Sequence, residues 1–231
     1  MNFPQQGDYI DIHNHDSSQG EGVFNLDILM AHEGKLPAKR SGVAYSIGIH
    51  PWFLNETNHD QLLDFVCQNA ADKAIAAIGE AGFDKLRGPA MDLQQRTFSE
   101  QAVLSEETGK PMVIHCVKAW DELMAAHRKI RPKLPWLIHG FRGKKELALQ
   151  LIARNMYISF WFDFIIRPEA SALVRSLPVD RIFLETDGSG ADIKDIYRKV
   201  AGDLGISIEK LKEIIYSNFI EFLPPNPPRG A

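Results

Sequence analysis

Five of the eight histidines in this 231-residue chain fall at the ends of short apolar runs: His13 and His15, His50, His115 and His139. Two carboxylates occupy the same kind of position, Glu80 in Ile78-Gly79-Glu80-Ala81-Gly82 and Asp187 in Leu184-Glu185-Thr186-Asp187. His13 and His15 are two apart at a strand end, so their side chains point the same way and can chelate one ion. Taken singly, the signals are weak: a lone His-x-His, a turn glutamate, and an aspartate before Gly188-Ser189-Gly190 that suits an Asx-turn. Their joint placement is what those readings leave unexplained. The imidazoles of His13, His15, His115 and His139 with the carboxylates of Glu80 and Asp187 exceed the needs of one ion. They suit two divalent ions bridged by a carboxylate, about 3.5–4 Å apart. Two ions sharing a water lower its pKa and stabilise negative charge on a substrate oxygen, while a nearby carboxylate takes or returns the proton. The expected cofactor is thus a pair of divalent ions. Imidazole-rich ligation favours Zn, Mn, Co or Ni over Mg.

Side chains so distant in sequence converge only if the fold gathers strand ends on one face. Candidate strands are Tyr9–His13, Val43–Ile49, Ala74–Gly79, Pro111–His115, Trp136–His139, Met156–Phe162 and Arg181–Glu185. They are almost continuously apolar, as strands buried on both faces should be. Gly22–Leu26 is a weak eighth. Helical stripes lie between them, at Trp120, Leu123, Met124, His127 and Ile130, at Ala170, Leu173, Val174 and Leu177, and from Ile193 to Leu204. Ser207 is the expected N-cap of a last helix running through Phe222, which the tail from Pro224 cannot continue. The alternation predicts a parallel α/β barrel whose strand C-termini open onto one catalytic face. Eight units in 231 residues average about 29 each, tight for a (β/α)8 barrel of about 250. The shortage is local. The stretch from Asp16 to Ala44 holds Gly20, Gly22, Gly34, Pro37 and Gly42. The expectation is a somewhat distorted TIM barrel with a shortened first helical region, residues 1–231 forming one domain.

Composition narrows the classes. The chain is 45% hydrophobic and 24% charged, an average globular mix. A net charge of −4 excludes a broad basic surface, though a local basic cleft is compatible with it. No run approaches 18 apolar residues, so no membrane association is expected. The start lacks a basic and an apolar leader region, and Cys67 and Cys116 are too few for a disulfide framework. The expected location is the cytoplasm, and the expected state a monomer. Cys116 is read as a small packed residue rather than a nucleophile. His32, His59 and His127 are read as surface or interface histidines.

The ordered set Asp11-Ile12-His13-Asn14-His15, Gly48-Ile49-His50-Pro51, Gly79-Glu80-Ala81-Gly82-Phe83-Asp84, Ile114-His115, Ile138-His139-Gly140-Phe141-Arg142-Gly143 and Glu185-Thr186-Asp187 resembles the TatD-like metal-dependent hydrolases. Asn218-Phe219 is similar to that family's closing helix. The resemblance implies a TIM barrel with two metals and phosphodiester hydrolysis, often 3′-to-5′ exonuclease action on DNA. It also implies that His13, His15, Glu80 and Asp187 hold one ion and Glu80, His115 and His139 the other, Glu80 bridging. His50 would then face the substrate phosphate. Asp187 and Glu80 are the implied catalytic carboxylates. Two departures stand out. The arginine that follows the fourth-ligand histidine in the family is valine in His115-Cys116-Val117-Lys118, with Lys118 as the substitute cation. The proline after the last aspartate gives way to Gly188-Ser189-Gly190.

The expected partner is DNA or a small phosphodiester, gripped at a few phosphates by the cations nearest the site: Lys85, Arg87, Lys118, Arg142 and Lys144. One rival is a cyclic amidase or lactonase of the amidohydrolase type; these commonly bridge their metals with a carboxylated lysine, where this chain offers Glu80. A histidine-rich phosphoesterase binding three metals needs further ligands. A metal-binding scaffold without turnover leaves so complete a ligand set unexplained.

Overall fold

Eight short, deeply buried strands follow one another in sequence and in space: β1 (Tyr9–Asn14), β2 (Val23–Met30), β3 (Val43–Gly48), β4 (Ile75–Asp84), β5 (Met112–Val117), β6 (Trp136–Ile138), β7 (Met156–Trp161) and β8 (Ile182–Glu185). A computed structural model describes residues 3–15 and 20–224. Every neighbouring pair is parallel, in the order β1 to β8. The helices are α1 (His59–Asn69), α2 (Met91–Thr108), α3 (Trp120–Ile130), α4 (Lys145–Ile152), α5 (Phe162–Ile165), α6 (Pro168–Arg175), α7 (Ile193–Leu204) and α8 (Ile208–Phe222). No helix among the described residues is long and apolar enough to cross a membrane. The arrangement is a nearly closed (β/α)8 barrel.

The weakest expected strand is a strong one. β2 runs eight residues and all are buried. The shortening also exceeds the one helix expected. Only eight residues separate β1 from β2, too few for a covering helix, and residues 16–19 of that loop lie outside the described residues. A single 3₁₀ turn, Ala31–Glu33, follows β2. Aromatic packing supplies part of the missing cover: Phe219 of α8 meets Phe24 of β2 and Phe3 edge-on, at centroid distances of 5.1 and 6.2 Å. α7 matches its expected stripe, and Ser207 caps α8 by accepting from Lys210 N at 3.1 Å.

The barrel closes at β8 and β1 largely through side chains. The Tyr197 hydroxyl accepts from Ile10 N at 3.0 Å and donates to Ile10 O at 3.2 Å, satisfying backbone groups that a ladder would otherwise pair. Asp11 accepts from Thr186 N and Oγ1 at 3.0 and 2.6 Å, and Asp187 N donates to His13 O at 3.1 Å. Asn218 of α8 fastens the start of β8, its amide donating to Val179 O and Ile182 O, both at 2.9 Å. Asn218→Ala leaves those carbonyls without their donor and should lower stability by about 1–3 kcal/mol. The corresponding fall in Tm is roughly 2–4 °C per kcal/mol. Denaturant unfolding with midpoint and slope measured separately checks this, and an unchanged midpoint would reject the fastening role.

Candidate metal centre

Glu80 sits where β4 is irregular. From Ile78 to Ala81 the strand advances three residues while β5 advances two, from Met112 to Ile114. Such a bulge re-aims the side chains within it. Glycines permit it. A Cβ at Gly79 would stand 2.3 Å from Val113 O and one at Gly82 would stand 1.9 Å from His115 O, with φ of +135° and +156°. β1, which carries His13, has the same irregularity between Asp11 and Asn14 against β2.

The result is a carboxylate ringed by imidazoles. Glu80 Oε1 lies 2.7 Å from His139 Nε2, 2.9 Å from His115 Nδ1 and 3.2 Å from His50 Nε2. Glu80 Oε2 lies 3.5 Å from His13 Nε2 and 4.0 Å from His15 Nε2. Asp187 Oδ1 completes that side, 3.4 Å from both. Glu80 therefore divides the cluster into two halves. Asp187 reaches its place through a left-handed backbone, φ +51°, followed by Gly188 at φ +66°. Proline cannot adopt that second angle, which accounts for the glycine in its place.

Two carboxylates that sequence reasoning did not single out stand behind the ring. Asp84 Oδ2 lies 3.1 Å from His115 Nε2 and accepts from Trp52 Nε1 at 2.6 Å, while Oδ1 accepts from Leu86 N and Arg87 N. His115 thus has a carboxylate at each ring nitrogen; with an ion bound, the Asp84 partner would keep the proton on Nε2 and leave Nδ1 to the ion. Glu185 is fully buried, with Oε1 3.5 Å from His139 Nδ1 and Oε2 bonded by Ser159 Oγ. A signal existed for both. Asp84 and Glu185 each lie within four residues of a ligand candidate at the same strand end.

His50 is turned differently. Its Nδ1 accepts from Trp52 N at 3.0 Å, so the proton is on Nε2 and that nitrogen is a donor. It lies within ligand distance of Glu80 and His115, but a donor N–H is not a metal ligand. The buried face of α2 supports these strand ends with glutamines: Gln101 Oε1 accepts from Ile49 N at 2.7 Å and Gln94 Oε1 from Asp84 N at 2.8 Å.

Burial alone would raise the Glu80 carboxyl; the charge of His139 and the bonds from His115, His139 and His50 override it and hold it well below the usual carboxylate range. Burial likewise opposes, and the carboxylates of Glu80 and Glu185 reverse, a shift that leaves the His139 imidazole well above its usual value. His13 goes the other way, lowered by burial and by His139. Asp187 is held below the usual range despite burial, by His13 and His15. Both ring nitrogens of His13, which is fully buried, lack a hydrogen-bond partner among the described residues. Lone pairs and carboxylate oxygens packed this closely are the donor set of a divalent cation of intermediate softness, and the residues fit one.

His15, His50, Glu80, His115, His139 and Asp187 open into one cavity of about 410 Å³. Lys118 and Arg142 stand farther out, on the wall of an adjoining cavity of about 450 Å³ that also meets His115, His139 and Asp187. Lys85 is not at the mouth as expected, because Glu122 draws its amine to 2.8 Å. Arg87 lies over the Trp52 ring, 3.6 Å from its centre. His32 is no bystander: it stacks on Phe53 at 3.7 Å and lines the first cavity. His59 is buried between Asp60 and Glu100, and His127 packs edge-on against Trp136. Burial pushes the Cys116 thiol up to about 12, in keeping with a packing role.

If Glu185 orients His139, then Glu185→Gln should weaken divalent-metal affinity by about 10–100-fold while the protein stays folded. Equilibrium dialysis with Mn or Zn measures it, and wild-type affinity would remove Glu185 from the centre.

The model of the TatD related DNase family matches residues 12–224. The Escherichia coli K12 protein YcfH, an uncharacterized metal-dependent hydrolase, is 26% identical over 205 residues, covering 81% of this chain and 76% of its own. The 3′-5′ ssDNA/RNA exonuclease TatD of Cronobacter turicensis is 30% identical over 166 residues, covering 70% and 63%. Among solved structures, the TatD homologue YjjV of Escherichia coli K12 superposes with a TM-score of 0.78 at 18% identity, covering 95% of this chain and 99% of its own. A family model matched over so much of the barrel is decisive: the chain belongs to the TatD related DNase family of metal-dependent hydrolases.

Proposed function

We propose that this protein is a phosphodiesterase that trims nucleic acid strands with two divalent ions, of the kind named for its exonuclease relative and for the deoxyribonuclease Tat-D of Schizosaccharomyces pombe. One observation carries the two-ion reading: the two oxygens of Glu80 face different sets of imidazoles. His13, His15 and Asp187 with Glu80 Oε2 would hold one ion; His115 and His139 with Glu80 Oε1 would hold the other. Bound there, the ions supply Lewis acidity toward water and toward the phosphoryl oxygens.

The chain's own residues do the rest. The Asp187 side chain is 23% exposed where that of Glu80 is 3%, so Asp187 is the carboxylate open to an attacking water. It stays ionised, takes a proton from the attacking water as the new P–O bond forms and the P–O bond to the departing sugar oxygen breaks, and returns that proton to the departing oxygen. Glu80 keeps the two halves of the site in register. His50 donates its Nε2 proton to a non-bridging phosphate oxygen. Lys118 and Arg142, on the adjoining wall, receive the next phosphate and replace the cation that Val117 does not supply.

Elemental analysis of protein reconstituted with Mn or Zn should give two ions per chain, and Glu80→Ala should lower occupancy at both sites; one ion or none in the wild type would overturn the reading. Asp187→Asn should slow cleavage of a phosphodiester by about 10²–10⁴ with the fold retained, since an amide cannot accept the proton. The assay sets a single-stranded oligonucleotide beside an amide and a lactone. Turnover confined to the last two would reject nuclease action.

A further inference from the structure

A third cavity, about 520 Å³, lies against the first turn of α4 and the α5–α6 corner. Four cations line it: Arg142, Lys144, Lys145 and Arg167. Two acids, Glu146 and Glu169, also reach it, which leaves a local excess of two positive charges in a chain of net charge −4. None of the four cations forms an ion pair among the described residues; the Arg167 Nε–H goes to a backbone carbonyl, Asp163 O, at 3.0 Å. Four cations facing one cavity with only two acids beside them repel on balance, and the arrangement is one that an anion relieves.

The cavity is not isolated. Arg142 and Gly143 line both it and the 450 Å³ cavity that meets His115, His139 and Asp187. Arg142 is fixed at this junction, its guanidinium 4.1 Å above the Trp161 ring. A phosphate chain leaving the metal centre past Arg142 therefore meets Lys144, Lys145 and Arg167 next. The first-turn N–H groups of α4 add to the attraction, since the N-cap, Lys144, provides no side-chain acceptor for them.

We propose that this basic cavity is a binding subsite for the phosphodiester backbone of a single-stranded polynucleotide, engaging the phosphates beyond the one held at Arg142. The inference rests on the nuclease reading above. It gives the protein a preference for strands several nucleotides long over dinucleotides, built on a few local ion pairs instead of a basic surface.

The double variant Lys145→Ala/Arg167→Ala tests it, with Arg142 and the ligands left in place. Metal-loaded wild type and variant are compared on a small chromogenic phosphodiester and on a single-stranded decanucleotide across a salt series. The subsite predicts unchanged kcat/KM on the small diester. On the decanucleotide, KM should rise about tenfold at 50 mM salt and converge with wild type as salt increases. The log–log salt slope of binding should be shallower by about 1.4, because each of the two cations neutralises one phosphate and a neutralised phosphate of a single strand contributes about 0.7. An unchanged KM and slope for the decanucleotide would overturn the subsite while leaving the nuclease intact. An equal loss on both substrates would also overturn it, by showing that the change acts through the metal centre. A wild type that cleaves the small diester but not the decanucleotide would overturn the subsite as a polynucleotide site. A wild type inactive on both would remove the nuclease reading itself.

Discussion

A carboxylate buried at the mouth of a barrel is tolerable only if positive charge or donors surround it, and Glu80 imposes that condition on everything around it. Moving an ion of this size out of water costs several kcal/mol even after relaxation. His50, His115 and His139, from the ends of β3, β5 and β6, offset the cost, while His13 and His15 of β1 close the other side. The demand explains the glycines too: β3, β4 and β5 must approach more closely than any Cβ permits, with Gly48 packed on Gly79 and Gly82 on His115. It also explains why α2 presents glutamines to the barrel. Gln94 and Gln101 accept from the backbone N–H groups of Asp84 and Ile49 at the strand ends.

Much of this was legible in the sequence because ligand chemistry admits few residue types. His13, His15, His50, Glu80, His115, His139 and Asp187 stand out once the strands are found, and the strands stand out because both their faces are apolar. The hidden features are those in which a polar residue does an apolar residue's work. β2 reads as weak because Asn25 and Asp27 interrupt it, yet both are buried, Asn25 accepting from Asn14 and Asp27 from Arg40. α2 lacks a clean stripe because Gln94, Thr97, Gln101 and Ser105 occupy its inner face. The bulge in β1 leaves no glycine to mark it, whereas that in β4 is marked by Gly79 and Gly82.

Orientation was harder to read than ligation. Which nitrogen of an imidazole is free depends on the group behind it, and those groups are a backbone N–H at Trp52 for His50 and carboxylates for His115 and His139. Identical side chains thereby acquire different chemistry: His50 offers a proton where His115, with an ion bound, would offer a lone pair. Spacing places such residues on one face, and only packing assigns their protons.

The seam between β8 and β1 carries a further consequence. Among the described residues its bonds come from Asp11 and one backbone bond to His13, while Tyr197 of α7 takes up the Ile10 backbone groups, so it is the place where the hoop of strands is least continuous. His13 lies on one side of it and Asp187 on the other. A ligand held by both acts as the missing rung, and its binding energy is delivered across the joint. Filling the site and tightening the barrel then form a single equilibrium, in which each strengthens the other by the same amount.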